Sequence, residues 1–322
     1  MAKILLTGGA GYIGSHTNLA LAEAGHETVV FDNLSTGFKE LVVAGELIVG
    51  DLLDKQAISD VLREGHFDAV IHLAAKSLVG ESFKDPALYW RNNLIGSRNL
   101  IDSMREFGPK AIVFSSSAAV YGNATTSPIA ETHAKSPINP YGKTKLAIEW
   151  MLEDQRDEIC TVNLRYFNAC GADPRGRIGL LIRNDPHLIP VCLDSISGLR
   201  GAVKVFGKDY NSHDGTCIRD YVHVSDLAEA HLLALEGLLS GSSNGSFNLG
   251  TNRGASVLEI IDCVEKICGA SLKLEFSERR AGDPDELVSD ATLAKTELNW
   301  EPHFSDLETI ISTAWEWHRR NL

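Results

Sequence analysis

Residues 3–14 read Lys3-Ile-Leu-Leu-Thr7-Gly8-Gly-Ala-Gly11-Tyr-Ile-Gly14 and contain the clearest indication of a fold in the sequence. In it, a short apolar run leads into glycines at every third position, and a helical pattern then continues to residue 24. A glycine-rich turn between a buried strand and a helix lets the backbone approach a pyrophosphate, which then lies against the unpaired N–H groups of the helix. The stretch therefore predicts the first β–α unit of a dinucleotide-binding fold.

An acidic residue follows at the expected distance. A second apolar run at residues 28–31 ends at Asp32, eighteen residues after Gly14. A carboxylate there accepts hydrogen bonds from the adenosine ribose hydroxyls and repels a 2'-phosphate. We therefore expect NAD rather than NADP as the cofactor. The alternative is a tight turn followed by a surface aspartate.

Short apolar runs continue to alternate with helical patterns. Further strands are predicted at residues 47–49, 69–73, 111–114 and 161–164. This alternation predicts an α/β fold, a doubly wound parallel sheet of the Rossmann type with helices on both faces. Ligands of such sheets bind beyond the carboxyl ends of the strands, where polar clusters occur in this chain.

The pattern changes after about residue 168. Segments punctuated by Gly and Pro at residues 170–190 and 198–215 indicate a second, less regular region. We expect an NAD-binding domain at residues 1–168, with a return segment near 219–240. A smaller C-terminal α/β domain at residues 169–322 is expected to bind the substrate.

Tyr141 and Lys145 open another apolar-periodic stretch. In a helix, residues i and i+4 lie on one face, so the phenol and the ammonium can approach the same bound molecule. A neighbouring cation favours the phenolate and moves the tyrosine pKa from about 10 toward the range in which a general base works. Such a tyrosine can take a proton from an alcohol. The spacing alone leaves open two exposed residues on a solvated helix face.

Composition excludes several classes of protein. The chain has 322 residues and a formal charge of -13, which argues against binding nucleic acid or anionic membranes through a general field. We expect no signal peptide, no membrane span and a cytoplasmic location. The six cysteines and eleven histidines show neither metal-ligand nor disulfide spacing, so no metal site is predicted.

Several motifs occur in a characteristic order: Gly8-x-x-Gly11-x-x-Gly14, Ser115-Ser-Ser117 with Val120-Tyr-Gly122, Tyr141-Gly-Lys-Thr-Lys145, Arg165-Tyr-Phe-Asn168, Arg219-Asp-Tyr-Val-His223 and Arg279-Arg-Ala-Gly-Asp283. With them, essentially the whole chain resembles an extended short-chain dehydrogenase/reductase of the UDP-glucose 4-epimerase family. The resemblance implies an isomerase with a bound NAD that is not consumed, acting on UDP-glucose and UDP-galactose. C4 of the sugar is oxidised to a 4-keto intermediate, which rotates and is re-reduced.

The resemblance also implies residue roles. Tyr141 is the base, Lys145 holds the cofactor ribose and stabilises the phenolate, and Ser117 hydrogen-bonds the C4 oxygen. The positions implied to contact the cofactor are Gly8, Gly11, Tyr12, Ile13, Gly14, Asp32, Asn33, Asp51, Leu52, Leu73, Ala74, Ala75, Lys76, Asn92, Ser115, Tyr141, Lys145 and Tyr166. Those implied to bind the nucleotide-sugar are Ser117, Tyr141, Asn168, His187, Leu188, Phe206, Arg219, Arg280 and Asp283. Independently of the family, the planar fork of arginine suits Arg219 and Arg280 as diphosphate clamps, whereas either alone is commonly a surface ion pair.

The chain departs from the family pattern at three positions. Some members carry lysine one position after Lys76, where this chain has Ser77, and some have asparagine at His187. Members with a tyrosine opposite the sugar ring have Leu287 at the corresponding place. Because leucine is shorter, we hypothesise room for an N-acetyl group and some interconversion of UDP-GlcNAc and UDP-GalNAc.

Other functions stay open at this point. A 4-epimerase of another UDP-sugar, including UDP-glucuronate or a UDP-pentose, shares every motif. A nucleotide-sugar 4,6-dehydratase usually has an Asp-Glu pair just after the serine motif, where this chain has Ala118 and Ala119. A non-catalytic NAD-binding regulator tends to lose the Tyr/Lys pair.

Family members commonly pair through two helices corresponding to about residues 89–107 and 141–158, and we expect a homodimer. Leu94, Leu100, Ile101 and Met104 are candidates for the apolar face. The same face can instead pack on its own sheet.

Overall fold

The computed structural model describes residues 1–124, 126–181, 185–242, 244–280 and 283–322. Its strands are β1 (Lys3–Thr7), β2 (Glu27–Asp32), β3 (Glu46–Val49), β4 (Ala69–His72), β5 (Ala111–Ser115), β6 (Cys160–Tyr166), β7 (Asn168–Cys170), β8 (Val203–Phe206), β9 (Ile218–His223), β10 (Gly245–Leu249), β11 (Gly254–Ser256), β12 (Leu274–Ser277) and β13 (Glu286–Leu287). Its α-helices are α1 (Tyr12–Glu23), α2 (Lys55–Gly65), α3 (Val79–Lys84), α4 (Pro86–Tyr89), α5 (Gly96–Phe107), α6 (Pro140–Glu153), α7 (Leu188–Ile196), α8 (Val224–Ser240), α9 (Val257–Cys268), α10 (Thr292–Glu297) and α11 (Leu307–Arg320). A π-helical segment, Trp90–Ile95, joins α4 to α5.

Seven strands form the central sheet, in the order β10-β6-β5-β4-β1-β2-β3, and every neighbouring pair is parallel. Successive residues of β1 point to opposite faces: Ile4 and Leu6 pack with α1 and α8, whereas Leu5 packs with α2, α5 and α6. Because both faces are covered, the central strands β1, β2, β4 and β5 are largely apolar. The prediction of a doubly wound parallel sheet is confirmed.

Strand β10 corrects the predicted extent of the return segment. Residues 219–223 belong to β9, which pairs with β7, β11 and β13 in a separate small sheet. Helix α8 then covers the central sheet, and β10 pairs with β6 at its edge. The sequence Gly-Ser-Phe-Asn-Leu has too few apolar residues to stand out as a strand, so the prediction stopped near residue 240.

The remaining elements form a second core around α7, α9 and α11, which pack with β8 and with Tyr221 of β9. A short parallel pair, β8 and β12, borders this core. Among the described residues, no helix has both the length and the apolar character needed to cross a membrane.

Helix α6 begins where the sequence provides a stop and a cap. Asn139 has an extended backbone, and its side-chain oxygen accepts a hydrogen bond from the Gly142 amide at 2.7 Å. Pro140 occupies the first turn, where its missing N–H costs nothing. An N-cap of this kind is worth about 1 kcal/mol. It fixes the start of α6, and with it Tyr141 in the first turn.

The apolar face predicted within residues 89–107 packs on the sheet of its own chain. Leu100, Ile101 and Met104 are buried against the central sheet of their own chain, and Leu94 packs partly against the same core. The periodicity of an amphipathic helix shows that one face is covered but not what covers it. The π-helical segment and α6 instead carry exposed apolar side chains, among them Ile95 and Trp150.

Candidate active site

The turn between β1 and α1 is built so tightly that only glycine fits at two positions. Gly8 has a φ of +78°, and a Cβ there would lie 2.5 Å from the Ala74 nitrogen, in the segment after β4. A Cβ on Gly14 would collide with the carbonyl oxygen of Gly8. The first turn of α1, with Tyr12 and Ile13, therefore stands directly over the end of the sheet. Its free N–H groups form a cradle that suits a pyrophosphate.

Asp32 lies beside this turn at the end of β2. Its carboxylate accepts hydrogen bonds from the amides of Ala10 at 3.0 Å and Leu34 at 2.8 Å. Burial raises the pKa of Asp32, and these two hydrogen bonds act against that rise. The side chain thus links the glycine turn to β2, in the place expected of the ribose acceptor.

The neighbouring strand end supplies the other side of this pocket. The Asn33 amide donates to the Asp51 carboxylate at 3.0 Å, and the same carboxylate accepts from the Leu53 amide at 2.8 Å. Leu52, between Asp51 and Leu53 in the chain, is buried. The structure thus brings together the residues predicted to surround the adenosine, because β2 and β3 end at the same edge.

Asn93 organises the segment after β4 and was not predicted from the sequence. It is fully buried in the π-helical segment, and it bonds both the amide and the carbonyl of Lys76, at 2.8 and 3.0 Å. It also donates to the Thr144 hydroxyl on α6 at 3.2 Å, while Asn92 donates to it at 3.0 Å. The segment Leu73–Lys76 is thereby fixed between the glycine turn and α6. A paired asparagine on an otherwise helical pattern is the only signal for this role in the sequence.

Tyr141 and Lys145 are both buried on one face of α6. The Lys145 ammonium donates to the Ser115 carbonyl at 2.6 Å and lies 5.8 Å from the centre of the Tyr141 ring. Burial lowers the pKa of Lys145 to about 7, and the charge of Glu149 acts in the opposite direction. Burial raises the pKa of Tyr141, while a hydrogen bond with the Ser117 side chain opposes the rise. The lowering of the Tyr141 pKa by the Lys145 charge stays a prediction.

The three consecutive serines have three different partners. The Ser115 hydroxyl bonds the Tyr166 hydroxyl, and the Ser116 hydroxyl donates to Glu149. Ser117 accepts from the Ala119 amide at 3.1 Å, and its side chain is near enough to Tyr141 to lower the pKa of the phenol. Strand β5 ends at Ser115, so the chain turns here and sends the three side chains in different directions. Ser117 is therefore the serine whose side chain faces Tyr141.

The predicted diphosphate and uridine residues lie on the second region. Arg219 forms an ion pair with Asp283 and donates to the Pro284 carbonyl at 2.9 Å. Tyr210, which the sequence did not single out, donates to the other Asp283 oxygen at 3.1 Å. The Arg280 guanidinium lies 4.1 Å from the centre of the Phe206 ring, so the aromatic face holds the cation in place.

His187 and Leu188 mark the start of α7. The His187 ring bonds the buried Asp185 carboxylate at 2.6 Å, and this hydrogen bond raises the pKa of the histidine. Arg280 is near enough for its charge to lower that pKa in part. A helix N-terminus beside the Arg280 guanidinium and the His187 imidazole is suited to an anion.

Asn168 lies on β7, and its amide donates to the Asp220 carbonyl at 2.9 Å, which leaves its side-chain oxygen as the free acceptor. Within the described ranges, no group of three or more His, Cys, Asp or Glu side chains is arranged to hold a metal ion.

The sheet, the glycine cradle and the Tyr–Lys pair define an NAD-dependent enzyme of the Rossmann type. The model of the "NAD dependent epimerase/dehydratase family" matches residues 4–250. The chain belongs to this family.

Three relatives show how far the likeness extends. A UDP-glucose 4-epimerase of Halalkalibacterium halodurans is 47% identical over 320 residues, which span 99% of this chain and 96% of the relative. The crystal structure of UDP-glucose 4-epimerase from Brucella ovis in complex with NAD superposes with a TM-score of 0.96 at 45% identity, covering 98% of both chains. The UDP-Glc/GlcNAc 4-epimerase of Campylobacter jejuni has a TM-score of 0.88 at 39% identity, covering 99% of this chain and 100% of its own.

Proposed function

We propose that this protein interconverts UDP-glucose and UDP-galactose, the reaction of a UDP-glucose 4-epimerase. The observation that carries the proposal is the group of Tyr141, Ser117 and Lys145, in which Tyr141 and Lys145 are buried, at the edge of the sheet where the glycine cradle fits NAD. A cytoplasmic location and a role in galactose metabolism belong to the same proposal.

Each residue of the group has a task that its chemistry supports. Bound NAD supplies the acceptor, and then the donor, of the hydride at C4. The Tyr141 oxygen takes the proton of the C4 hydroxyl and returns it when the ketone is reduced. Ser117 both donates and accepts hydrogen bonds, which suits an oxygen that alternates between alcohol and ketone. Because the hydride returns to the opposite face of C4, the product is the epimer and no net oxidation occurs.

The second region holds the nucleotide while the sugar turns. Arg219, Arg280 and the start of α7 supply positive charge for the diphosphate, and Asp283 is placed as an acceptor for the ribose hydroxyls. Anchoring the nucleotide and leaving the hexose free permits the 4-keto sugar to present either face.

The test is to incubate the purified protein with UDP-galactose, without added cofactor, and to follow the sugar by NMR. We expect UDP-glucose to accumulate to a fixed equilibrium ratio. No UDP-glucose, even after NAD is added, would exclude this function. A 4,6-dehydratase product is not expected, because Ala118 and Ala119 in the turn after Ser117 offer no group to exchange the C5 proton.

A second activity, on N-acetylated sugars, is favoured by Leu287. It lies on β13, opposite Arg219 of β9, and packs against the cluster of Val120, Tyr121 and Ile129. A leucine here extends less far toward the sugar than a tyrosine. The Campylobacter jejuni relative, a UDP-Glc/GlcNAc 4-epimerase, shares the fold.

Replacing Leu287 with tyrosine is expected to lower turnover of UDP-GalNAc at least roughly tenfold relative to UDP-galactose, because a steric clash of about 1.5–3 kcal/mol falls on the acetyl group alone. The ratio of kcat/KM for the two substrates measures the effect. UDP-galactose turnover by the same variant is the internal control. An unchanged ratio, or a wild-type protein inactive on UDP-GalNAc, would remove the proposal.

We also propose that the protein is a homodimer that pairs through α6 and the π-helical segment. Trp150 of α6 is 59% exposed, and Ile95 is 43% exposed on the adjacent segment. In a twofold symmetric interface both subunits contribute the same side chain, so each substitution counts twice. Trp150 and Ile95 are therefore suited to the centre of such an interface.

Replacing Trp150 with glutamate is expected to weaken the dimer at least roughly 100-fold, because two charges would be buried without partners at the symmetric contact. Light scattering should change from twice 35.0 kDa to the monomer mass at micromolar concentration. Phe276→Glu, at an exposed position on the second region, is the control that should leave the mass unchanged. A wild-type monomer would refute the proposal.

A further inference from the structure

A buried carboxylate, Glu149, lies one helical turn beyond Lys145 on α6. Only 5% of its side chain is exposed, and both of its oxygens are bonded by Arg165 of β6, at 2.8 Å from Nε and 2.6 Å from Nη2. Arg165 is itself 2% exposed, and it also donates to the Tyr121 hydroxyl at 2.9 Å. Buried charges need such partners to offset desolvation. The pair is therefore rigid and close to the reaction centre.

Glu149 also sets the charge that surrounds Lys145. The Lys145 ammonium bonds a neutral carbonyl, so that bond does not balance its charge. Of the titratable groups that face it, His72 of β4 is neutral because burial lowers its pKa to about 3. Burial raises the pKa of Tyr141 of α6 and of Tyr166 of β6, which disfavours a second anion beside Lys145. Two buried cations, Lys145 and Arg165, thus face one anion, Glu149.

The same carboxylate holds the end of β5. The Ser116 hydroxyl donates to Glu149, and the Ser116 amide donates to the Leu164 carbonyl at 2.8 Å. Ser116 lies between Ser115, which receives the Lys145 ammonium, and Ser117, which faces Tyr141. Glu149 is therefore bonded to the segment that carries the site.

We propose that Glu149 is a positioning residue that keeps the Lys145 side chain charged and holds Ser117 in place. The inference rests on the proposed function, because these two residues matter only if Tyr141 is the base. Arg165 holds the carboxylate in position, but its positive charge acts on Lys145 in the opposite sense. If the ion pair were purely structural, replacing either partner would have the same effect. In the proposed role, replacing Glu149 and replacing Arg165 shift the Lys145 pKa in opposite directions.

The test compares Glu149→Gln with Arg165→Met. Removing the anion is expected to lower the pKa of Lys145, and so to move the alkaline limb of the kcat/KM profile down by roughly one to two pH units. Removing the cation is expected to move the limb up by roughly one unit. NMR of lysine labelled with 13C at Cε gives the Lys145 titration directly on the purified protein, with Lys145→Met used for assignment.

Glu153→Gln is the matched control, since Glu153 lies one turn further along α6 and is exposed. This control should leave the alkaline limb of the kcat/KM profile and the Lys145 titration unchanged. The inference is overturned if the alkaline limb does not move in Glu149→Gln and Arg165→Met, or if it moves in the same direction in both. If Glu149→Gln does not fold, the upward shift in Arg165→Met decides the matter alone. In another outcome, the wild-type protein shows no epimerase turnover while the two variants still shift the Lys145 pKa in opposite directions by NMR. That outcome would reject the proposed function and retain the charge-setting role of Glu149.

Discussion

Replacing Tyr141 with phenylalanine is expected to lower kcat for UDP-galactose by roughly 10²- to 10⁴-fold, the usual contribution of a general base. The substitution removes one oxygen from a ring that is already buried, so the fold should not change. Retained NAD should not change either, because the glycine cradle lies on another element. KM should change little if the nucleotide half supplies most of the binding energy. The measurement is turnover of UDP-galactose followed by NMR or a coupled assay.

Tyr89→Phe provides a control within the same cluster. The Tyr89 ring meets the Tyr141 ring edge to face, with centroids 6.4 Å apart. Its hydroxyl is turned away, toward the Leu78 carbonyl at 2.7 Å and the Glu81 carboxylate at 2.8 Å. Loss of this hydroxyl should cost about 1 kcal/mol of stability and leave kcat within a few-fold of wild type. Equal losses in the two variants would mean that packing, not proton transfer, is what Tyr141 provides.

Local sequence determined those parts of the fold whose signal is contained in a short window. The order of strand, glycine turn, helix, strand and acid in residues 3–32 requires no distant contact, and it predicted both the sheet and the place of the cofactor. Strand β10 gave no comparable signal, because its pairing with β6 depends on a partner eighty residues earlier in the chain.

The site divides in the same way. The pairing of Tyr141 with Lys145 follows from helical spacing alone. The choice of Ser117 among three serines depends on how the chain turns after β5, which the sequence does not show. Asn93, Glu149 and Tyr210 contribute through bonds to residues far away in the sequence. Each is an ordinary polar residue until its partner is known.

Replacing Gly14 with alanine is expected to abolish NAD retention through purification and to raise the dissociation constant for NAD at least roughly 100-fold. The added Cβ would collide with the carbonyl oxygen of Gly8. The backbone of Gly8 cannot move away from this collision, because it is packed on its other side. On that side Gly8 stands against the backbone of Ala74, and its amide is bonded to the Phe31 carbonyl at 2.9 Å. The turn must therefore open, which moves the N–H groups away from the pyrophosphate. Absorbance of released cofactor and calorimetric titration with NAD measure the loss.

Gly201→Ala separates this effect from a general cost of removing glycine. Gly201 has an ordinary backbone φ, and a Cβ there would meet nothing within 4 Å. The variant should bind NAD as the wild type does, with stability equal or slightly higher because the unfolded chain loses freedom. In Gly14→Ala the free energy of unfolding should fall by about 1–3 kcal/mol, the cost of overpacking, so a folded fraction remains for the binding measurement. If that folded protein bound NAD normally, the turn would not be the pyrophosphate cradle, and the assignment of the cofactor to the start of α1 would be wrong.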